Sequence, residues 1–230
     1  SYTLQQQQNY CPEGEDIEQG TCLLKKDSVL KAAHIGVLAS MGIASLEVWK
    51  RPRIVLCSTG DELTMAGTPL EDGKIYNSNL YILAARLQEL GFIVENLGIL
   101  PDDAALVAAR IRSFAGQADL FLTTGGVSVG KKDIMHAVVK QLPAKRIFWR
   151  MAMKPGAPAL AYRCGSLLGI ALSGNPFAAL ATFELLVRPV LAKLSRRPEV
   201  LCQRQRALLA DDFLKASPGR RFLRANYQNG

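Results

Sequence analysis

Residues 119–133 read DLFLTTGGVSVGKKD, in which an apolar run ends in two threonines and two glycines. An apolar run closed by glycine is typical of a strand buried on both faces of a parallel sheet. Residues 53–60, RIVLCSTG, have the same form. The segments between and after these runs alternate between helical and strand periodicity, which predicts successive βαβ units.

The periodicity also gives the extent of each element. Helices are expected at about 28–43, 78–90, 102–114, 134–141 and 177–194, and strands near 92–100, 146–151, 158–163 and 166–172. Asp27 or Ser28 is the expected N-cap of the first helix, and Gly42 is expected to end it. The expected fold class is α/β, a Rossmann-like parallel sheet with helices on both faces.

Three stretches of different character predict the domain organisation. Residues 1–50 hold a polar, Gln-rich tail and the first helix, residues 51–195 hold the sheet, and residues 196–230 hold short alternating segments. These last segments predict β-strands of a second unit, which stops before it could close a core. The chain does not begin with Met, so we expect it to be an internal piece of a longer protein.

Composition argues against several classes of protein. Lys and Arg number 28 against 20 Asp and Glu, a net charge of +8, which either attracts anionic ligands or forms a solvated surface. The basic residues are scattered without aromatic interleaving, so nucleic-acid binding is not expected. No apolar run approaches the ~18 residues that span a bilayer, and no secretory signal is visible. The five cysteines lack CxxC spacing, which indicates a reducing, cytoplasmic compartment and no zinc site.

Four polar loops follow predicted strands, at the edge where open parallel sheets bind ligands. They carry the runs STGDEL (58–63), TTGGVSVGKKD (123–133), MKPGAP (153–158) and SGNP (173–176). The glycines of the second loop, which leads into a helix, expose backbone N–H groups that could cradle phosphate, although the loop is neither GxGxxG nor a Walker motif. Plain structural readings also stand: Asp61 as a helix cap, a tight turn at Gly125, a surface turn at Lys154, and Asn175 and Pro176 opening a helix.

Three carboxylates, Glu62, Asp102 and Asp133, lie in or beside these loops. They could hold a divalent cation or act as acid and base. At least one aspartate of the Pro-Asp-Asp run at 101–103 is expected to serve only as a helix cap. No nucleophile has an adjacent base, which argues against acyl transfer. The residues by themselves predict a combined phosphate and metal site.

The strings STGDEL, GKIYNSN, LGILPDD, TTGGVSVGKKD, MKPGAP and SGNPFAALATFE occur in this order. Together they resemble the MoeA/gephyrin family, the molybdopterin molybdenumtransferases, over about residues 10–230. The resemblance implies an enzyme that takes adenylylated molybdopterin from a MogA-type adenylyltransferase. In the presence of Mg²⁺ and molybdate it would release AMP and leave molybdenum on the pterin dithiolene. Family members are typically elongated homodimers.

The resemblance also implies roles for individual residues. The positions expected to bind the metal and to be catalytic fall on Glu62, on Asp133 and on Asp102 or Asp103 of the PDD run, of which we assign Asp102. The residues expected to bind the substrate are Thr59, Gly60, Asp61, Thr124, Gly125, Gly126, Ser128, Gly130, Lys154, Gly174, Asn175 and Pro176.

Three positions depart from the family pattern. Asn77 stands where the family commonly has Asp, Lys131 where it often has an acidic residue, and Ser173 where it usually has Pro. Most of the family's N-terminal lobe and C-terminal β-domain also have no counterpart in the sequence. Two alternatives therefore stay open: a non-catalytic pterin-binding or scaffold fragment, and a MogA-like molybdopterin adenylyltransferase. The MKPGAP, SGNP and GEDI runs weigh against the second.

Overall fold

Ten strands and six α-helices occur in the computed structural model, which describes residues 10–127, 133–213 and 219–227. The strands are β1 (Ile54–Thr59), β2 (Leu63–Thr64), β3 (Ile75–Tyr76), β4 (Val94–Leu100), β5 (Leu120–Thr124), β6 (Ala144–Trp149), β7 (Met153–Lys154), β8 (Leu160–Cys164), β9 (Leu167–Leu172) and β10 (Arg220–Arg221). The helices are α1 (Ala32–Ser40), α2 (Ser78–Glu89), α3 (Ala104–Ser113), α4 (Met135–Gln141), α5 (Pro176–Thr182) and α6 (Arg188–Ser195). The predicted α/β fold is confirmed.

Six strands form the central sheet, in the order β4-β1-β5-β9-β8-β6. Strands β4, β1, β5 and β9 are parallel. Crossover helices join β1 to β4 and β4 to β5, as parallel strands require. From β1 the chain passes through α2 to β4 on one side, and then through α3 to β5 on the other side. The switch point of the sheet therefore lies between β1 and β5.

The other end of the sheet corrects the expectation of an all-parallel arrangement. Strand β8 is antiparallel to β9, and β6 is antiparallel to β8. The two-residue turn Gly165–Ser166 joins β8 to β9, and Gly165 has a φ of +60°. So short a loop can connect only antiparallel neighbours. This turn lies at the edge of the sheet opposite the carboxyl end of β9.

Helices cover both faces of the sheet, as predicted. One core contains Ile54 and Leu56 of β1 with the buried faces of α2 and of the α5–α6 segment. The other contains Val55 and Cys57 of β1 with the buried faces of α3 and α4. Alternate residues of β1 thus enter opposite cores, which explains the uninterrupted apolar run.

The α5–α6 segment is a single helical stretch with an irregular middle. A π turn at Phe183–Val187 separates the two α-helical parts, and Pro189 is the second residue after it. Proline has no N–H to bond the carbonyl four residues earlier, and its ring would collide with that carbonyl. Widening the preceding turn relieves this collision, so the uniform helix predicted at 177–194 is interrupted here.

Residues up to Val48 form a compact unit separate from the unit that begins at Trp49. Its helix α1 begins later than predicted. Asp27 has a φ of +66°, which lies outside the right-handed helical region, so the helix does not begin there. The N-cap is Lys31 rather than Asp27 or Ser28, and the Lys31 N–H donates to Nδ1 of His34 at 3.1 Å. Gly42, at a φ of +73°, follows the end of the helix as predicted.

The last stretch departs most from expectation. In the described part of residues 196–230 the only strand is the two-residue β10, which pairs in parallel with β7. The alternating segments at 201–213 are largely exposed and have no ladder partner within the described chain. Alternation predicts strands only where a neighbouring strand supplies the hydrogen bonds. No helix in the described part of the chain is long and apolar enough to cross a membrane.

Candidate functional site at the switch point of the sheet

Three polar loops lie side by side at the switch point. They follow the carboxyl ends of β1, β5 and β9, which are neighbours in the sheet. A crevice forms at such a point because adjacent connections leave the sheet in opposite directions. The sequence-based placement of ligand-binding loops at one sheet edge therefore agrees with the topology.

Gly125 lies against the end of β1 so closely that no side chain fits. Its N–H donates to the carbonyl of Leu172 at 3.0 Å, and a Cβ on Gly125 would stand 2.2 Å from the carbonyl oxygen of Thr59. The φ values of Gly125 and Gly126, +97° and +65°, also favour glycine. These two glycines let the loop after β5 fold back over the end of β1.

Asn79, in the first turn of α2, joins two of the loops. Its Nδ2 donates to Oγ1 of Thr124 at 2.9 Å and to the carbonyl of Gly174 at 2.8 Å. Thr124 Oγ1 in turn donates to the carbonyl of Ser173 at 3.0 Å. Asn79 is buried, and its Oδ1 has no hydrogen-bond partner among the described residues. One amide therefore fixes the relative position of the loops after β5 and β9.

Asp61 and Asp102 connect the loops after β1 and β4. The Asp102 N–H donates to Oδ1 of Asp61 at 3.1 Å, and the Asp61 N–H approaches Oδ2 of Asp102 at 3.4 Å. Asp61 is followed by β2 and caps no helix. Asp103 is the N-cap of α3 and accepts hydrogen bonds from the N–H groups of Ala105 and Leu106. The prediction that one aspartate of this pair only caps the helix is confirmed.

Two carboxylates at the site have an oxygen without a donor. Oε2 of Glu62 and Oδ1 of Asp133 are buried and have no hydrogen-bond partner among the described residues. The Glu62 carboxylate lies over Gly60, where a Cβ would stand 3.0 Å from Oε1 of Glu62. Thr59 Oγ1 is likewise buried and unpartnered. Orphaned buried oxygens are costly, so a cationic or hydrogen-bond-donating ligand at these positions would be stabilised.

Asp133 stands next to His136, whose ring packs against Trp149. Its Oδ2 lies 3.5 Å from Nε2 of His136, and the His136 ring packs edge-on against Trp149 with centroids 4.6 Å apart. Burial raises the pKa of Asp133, and the His136 ring and the nearby backbone N–H groups only partly oppose this effect. The carboxylate would therefore be held in its charged form by a nearby cation.

The predicted metal ligands do not form a ready-made cage. In residues 10–127, 133–213 and 219–227, no three His, Cys, Asp or Glu side chains converge closely enough to hold a metal ion. Glu62 and Asp133 each offer a free buried oxygen, while Asp102 is engaged with Asp61. Oxygen donors of this kind suit Mg²⁺, which usually takes one or two carboxylates together with waters and substrate phosphates.

The MKPGAP loop is anchored on helix α5. A Cβ on Gly156 would stand 2.2 Å from Oγ1 of Thr182 and 3.3 Å from the carbonyl of Ala178. Lys154 is exposed, and its carbonyl accepts a hydrogen bond from the Phe222 N–H at 2.8 Å. No described contact joins the Lys154 side chain to the three predicted catalytic carboxylates.

Helix α5 opens as predicted. Asn175 is its N-cap and accepts a hydrogen bond from the Ala178 N–H at 3.0 Å, and Pro176 occupies the first turn.

Ser128 and Gly130, both predicted to bind substrate, lie outside the described residues. Lys131, which departs from the family pattern, lies outside them as well.

Asn79 and His136 belong to this site but were not among the predicted site residues. Asn77, a departure from the family pattern, caps α2 and accepts a hydrogen bond from Ser58 Oγ at 3.1 Å. Its Nδ2 is buried and has no partner among residues 10–127, 133–213 and 219–227. The available signal for Asn77 and Asn79 was a pair of amides opening a helix beside the sheet edge. His136 gave no comparable signal, because one histidine in a helical pattern does not reveal its neighbour.

The fold and the loops at its switch point are those of a ligand-binding α/β domain. Residues 55–193 match the family described as "Probable molybdopterin binding domain". The chain belongs to this family of molybdenum cofactor biosynthesis.

Named relatives support the same assignment. The chain is 36% identical to the molybdopterin molybdenumtransferase of Haemophilus influenzae over 207 residues, 90% of this chain and 51% of the relative. It is 35% identical to the Bacillus subtilis protein of that name over 226 residues, 96% of this chain and 52% of the relative. A crystal structure of the molybdopterin biosynthesis MoeA protein from Pyrococcus horikoshii superposes with a TM-score of 0.68 at 29% identity, covering 80% of this chain and 46% of that chain. The chain thus spans about half the length of the curated relatives it matches.

Proposed function

We propose that the chain carries the substrate site of a molybdopterin molybdenumtransferase, which inserts molybdate into adenylylated molybdopterin and releases AMP. The observation that carries this proposal is the meeting of the family's loops at the switch point. There Gly125 abuts Thr59, and buried oxygens of Glu62 and Asp133 lack partners within the part of the chain that the structure describes. The identity to enzymes of this name extends over 90% or more of the chain.

Binding and orientation are the work we assign to most of the site. The Gly125 N–H already donates to Leu172 and the Ala178 N–H to Asn175, so we assign the N–H groups of Gly126 and Phe177 to the phosphate oxygens. Thr59, Gly60, Asp61, Thr124, Gly126 and Gly174 would line the same crevice. Lys154 would add a cation that attracts the anionic substrate. That Ser128 and Gly130 bind the substrate stays a prediction from the sequence.

Mg²⁺ would be held by Glu62 and Asp133, with Asp102 as a further ligand after exchange of its contact with Asp61. When bound, the ion would neutralise charge on phosphate oxygens. The chain's own contribution would be to place these carboxylate oxygens beside the ion and to orient the substrate phosphates. The raised pKa of Asp133 fits a buried carboxylate whose negative charge would be compensated by a bound cation.

The proposed function also implies partners and a cellular compartment. The substrate would come from a MogA-type adenylyltransferase, and the working form would be a homodimer in the cytoplasm. All five cysteines are free, which fits a reducing compartment. Sedimentation of the purified chain would give its oligomeric state, and a sedimentation coefficient expected for a monomer would remove the dimer from the proposal.

The deciding experiment is release of AMP from adenylylated molybdopterin and Mg²⁺, measured with and without molybdate. Wild-type chain should release AMP in a molybdate-dependent manner. Asp72→Asn, which removes a carboxylate from an exposed turn outside the site, should behave as wild type. Release that is unaffected by molybdate would contradict the transferase reading.

A second candidate is a ligand-binding or scaffold module, which would bind the pterin without turning it over. The family description, which names binding of molybdopterin and no reaction, favours it. Saturable pterin binding with no AMP release would favour this candidate. Formation of adenylylated molybdopterin from ATP and molybdopterin would instead identify a MogA-like adenylyltransferase.

A further inference from the structure

A second cavity lies apart from the candidate site. It is a cleft of about 730 Å³ between the π turn with the start of α6 and the segments around residues 201–204 and 220–222. None of its lining residues belongs to the predicted substrate site. Its apolar lining includes Leu185, Pro189, Leu201 and Phe222.

Three arginines, Arg204, Arg220 and Arg221, line this cleft against a single carboxylate, Glu184. The negative charge of Glu184 is already compensated. Arg86 donates to its Oε1 at 2.8 Å, and Arg188 donates to its Oε2 at 2.6 Å. The cleft therefore carries an excess of positive charge, which favours an anion.

Arg221 adds an unsatisfied donor. Its Nε is buried and has no hydrogen-bond partner among the described residues. The guanidinium lies 5.4 Å from the ring centroid of Phe213, which leaves its in-plane N–H groups available for an acceptor. A buried donor without an acceptor destabilises the chain, so an anion that accepts from Arg221 would be stabilised.

We propose that this cleft binds a small organic phosphate, with a phosphate group held by the arginines and an aromatic or aliphatic body on the apolar lining. Guanidinium groups match the geometry and the double charge of a phosphate monoester. The volume lies within the range of small-molecule sites. This inference goes beyond the proposed function and does not depend on it.

Binding of phenyl phosphate to the full chain would be measured by calorimetry, with inorganic phosphate and benzyl alcohol as comparison ligands. Phenyl phosphate should bind more tightly than inorganic phosphate, because only the former has an apolar body, and benzyl alcohol should not bind. Arg204→Gln and Arg220→Gln should each weaken phenyl phosphate binding about tenfold, the loss expected for one charged hydrogen bond.

Arg146→Gln removes the same charge from an exposed position on β6 and should leave the affinity unchanged. Lys154→Gln tests whether phenyl phosphate binds at the switch-point site instead of in the cleft. Methyl NMR signals of Leu185 and Leu201 should shift on titration. Absence of saturable binding, equal affinity for inorganic phosphate, or loss of affinity in Lys154→Gln but not in Arg204→Gln would each overturn the proposal.

Discussion

Gly125 and Gly116 have similar backbone conformations but different surroundings. Their φ values are +97° and +80°, yet a Cβ would meet the Thr59 carbonyl at 2.2 Å in the first case and no atom within 4 Å in the second. We predict that Gly125→Ala lowers the free energy of unfolding by about 3 kcal/mol, from backbone strain plus collision. Gly116→Ala should cost only the strain, about 1–2 kcal/mol.

Urea denaturation of both variants would separate the two contributions. Equal losses would mean that the loop after β5 moves away from Thr59 at little cost, which would contradict the tight contact assigned to Gly125.

Asp133 should be important for activity and dispensable for folding. Asp133→Asn preserves the shape of the side chain but removes the charge, so it should unfold at nearly the wild-type temperature while Mg²⁺-dependent AMP release is lost. Thermal unfolding and the AMP assay would be made on the same preparation. A large fall in unfolding temperature would show that the carboxylate is structural, and unchanged release would remove it from the site.

Individual residues were predictable where a local rule determines them. Asn175, Pro176 and Asp103 lie where capping and first-turn preferences place them. Asn79 and His136 depend on contacts across the fold, with Gly174 and Trp149 respectively, and sequence spacing does not encode such contacts.

Strands β8 and β9 hold a cross-strand pair in which Tyr162 lies opposite Gly169. A Cβ on Gly169 would stand 1.9 Å from Cζ of Tyr162, so the ring occupies the space above the glycine. We predict that Gly169→Ala destabilises the chain by about 2 kcal/mol or more through overpacking.

The double variant Tyr162→Leu/Gly169→Ala should be more stable than the sum of the single effects predicts, because the smaller side chain leaves room for the methyl group. Tyr162 Oη is buried without a partner among the described residues, so its removal leaves no new orphan. Additive effects in a double-mutant cycle would contradict this packing.

At the level of elements, the sequence predicted which helices and strands exist better than it predicted how the strands pair. Every helix and strand expected between residues 53 and 195 is present within a few residues. The antiparallel β8–β9 pair departs from the expected parallel order because the two-residue turn at Gly165 is too short for a crossover connection. The expected strands after residue 195 are mostly absent from the described residues, because their alternation has no ladder partner there.

Across the whole sheet-bearing unit, Glu184 joins helix α2, the start of α6 and the stretch at Cys202. It accepts from Arg86 of α2 and Arg188 of α6, and the Cys202 thiol donates to its carbonyl at 3.4 Å. Burial disfavours the charged form, but hydrogen bonds from Arg188 and Arg86 outweigh burial and lower the pKa of Glu184.

A lowered pKa in the folded state means that Glu184 stabilises the fold above its unfolded pKa and that this contribution is lost as pH falls through the folded value. We predict that Glu184→Gln lowers the free energy of unfolding at pH 7 by roughly 1–2 kcal/mol. The difference from wild type should shrink below about pH 4. Glu89→Gln, which removes the more exposed partner of Arg86, should have a smaller effect. A wild-type to Glu184→Gln difference that is constant with pH would contradict the charge-based account.

The turn at Gly165–Ser166 is exposed and stands at the end of β9 farthest from the loop that leads to Asn175. Exposed turn tips of this kind accept added sequence, since little backbone hydrogen bonding depends on them. A short affinity epitope inserted between Gly165 and Ser166 would thus tether the protein to a surface with its ligand crevice facing the solution. The antiparallel corner of the sheet provides an attachment point remote from the candidate site.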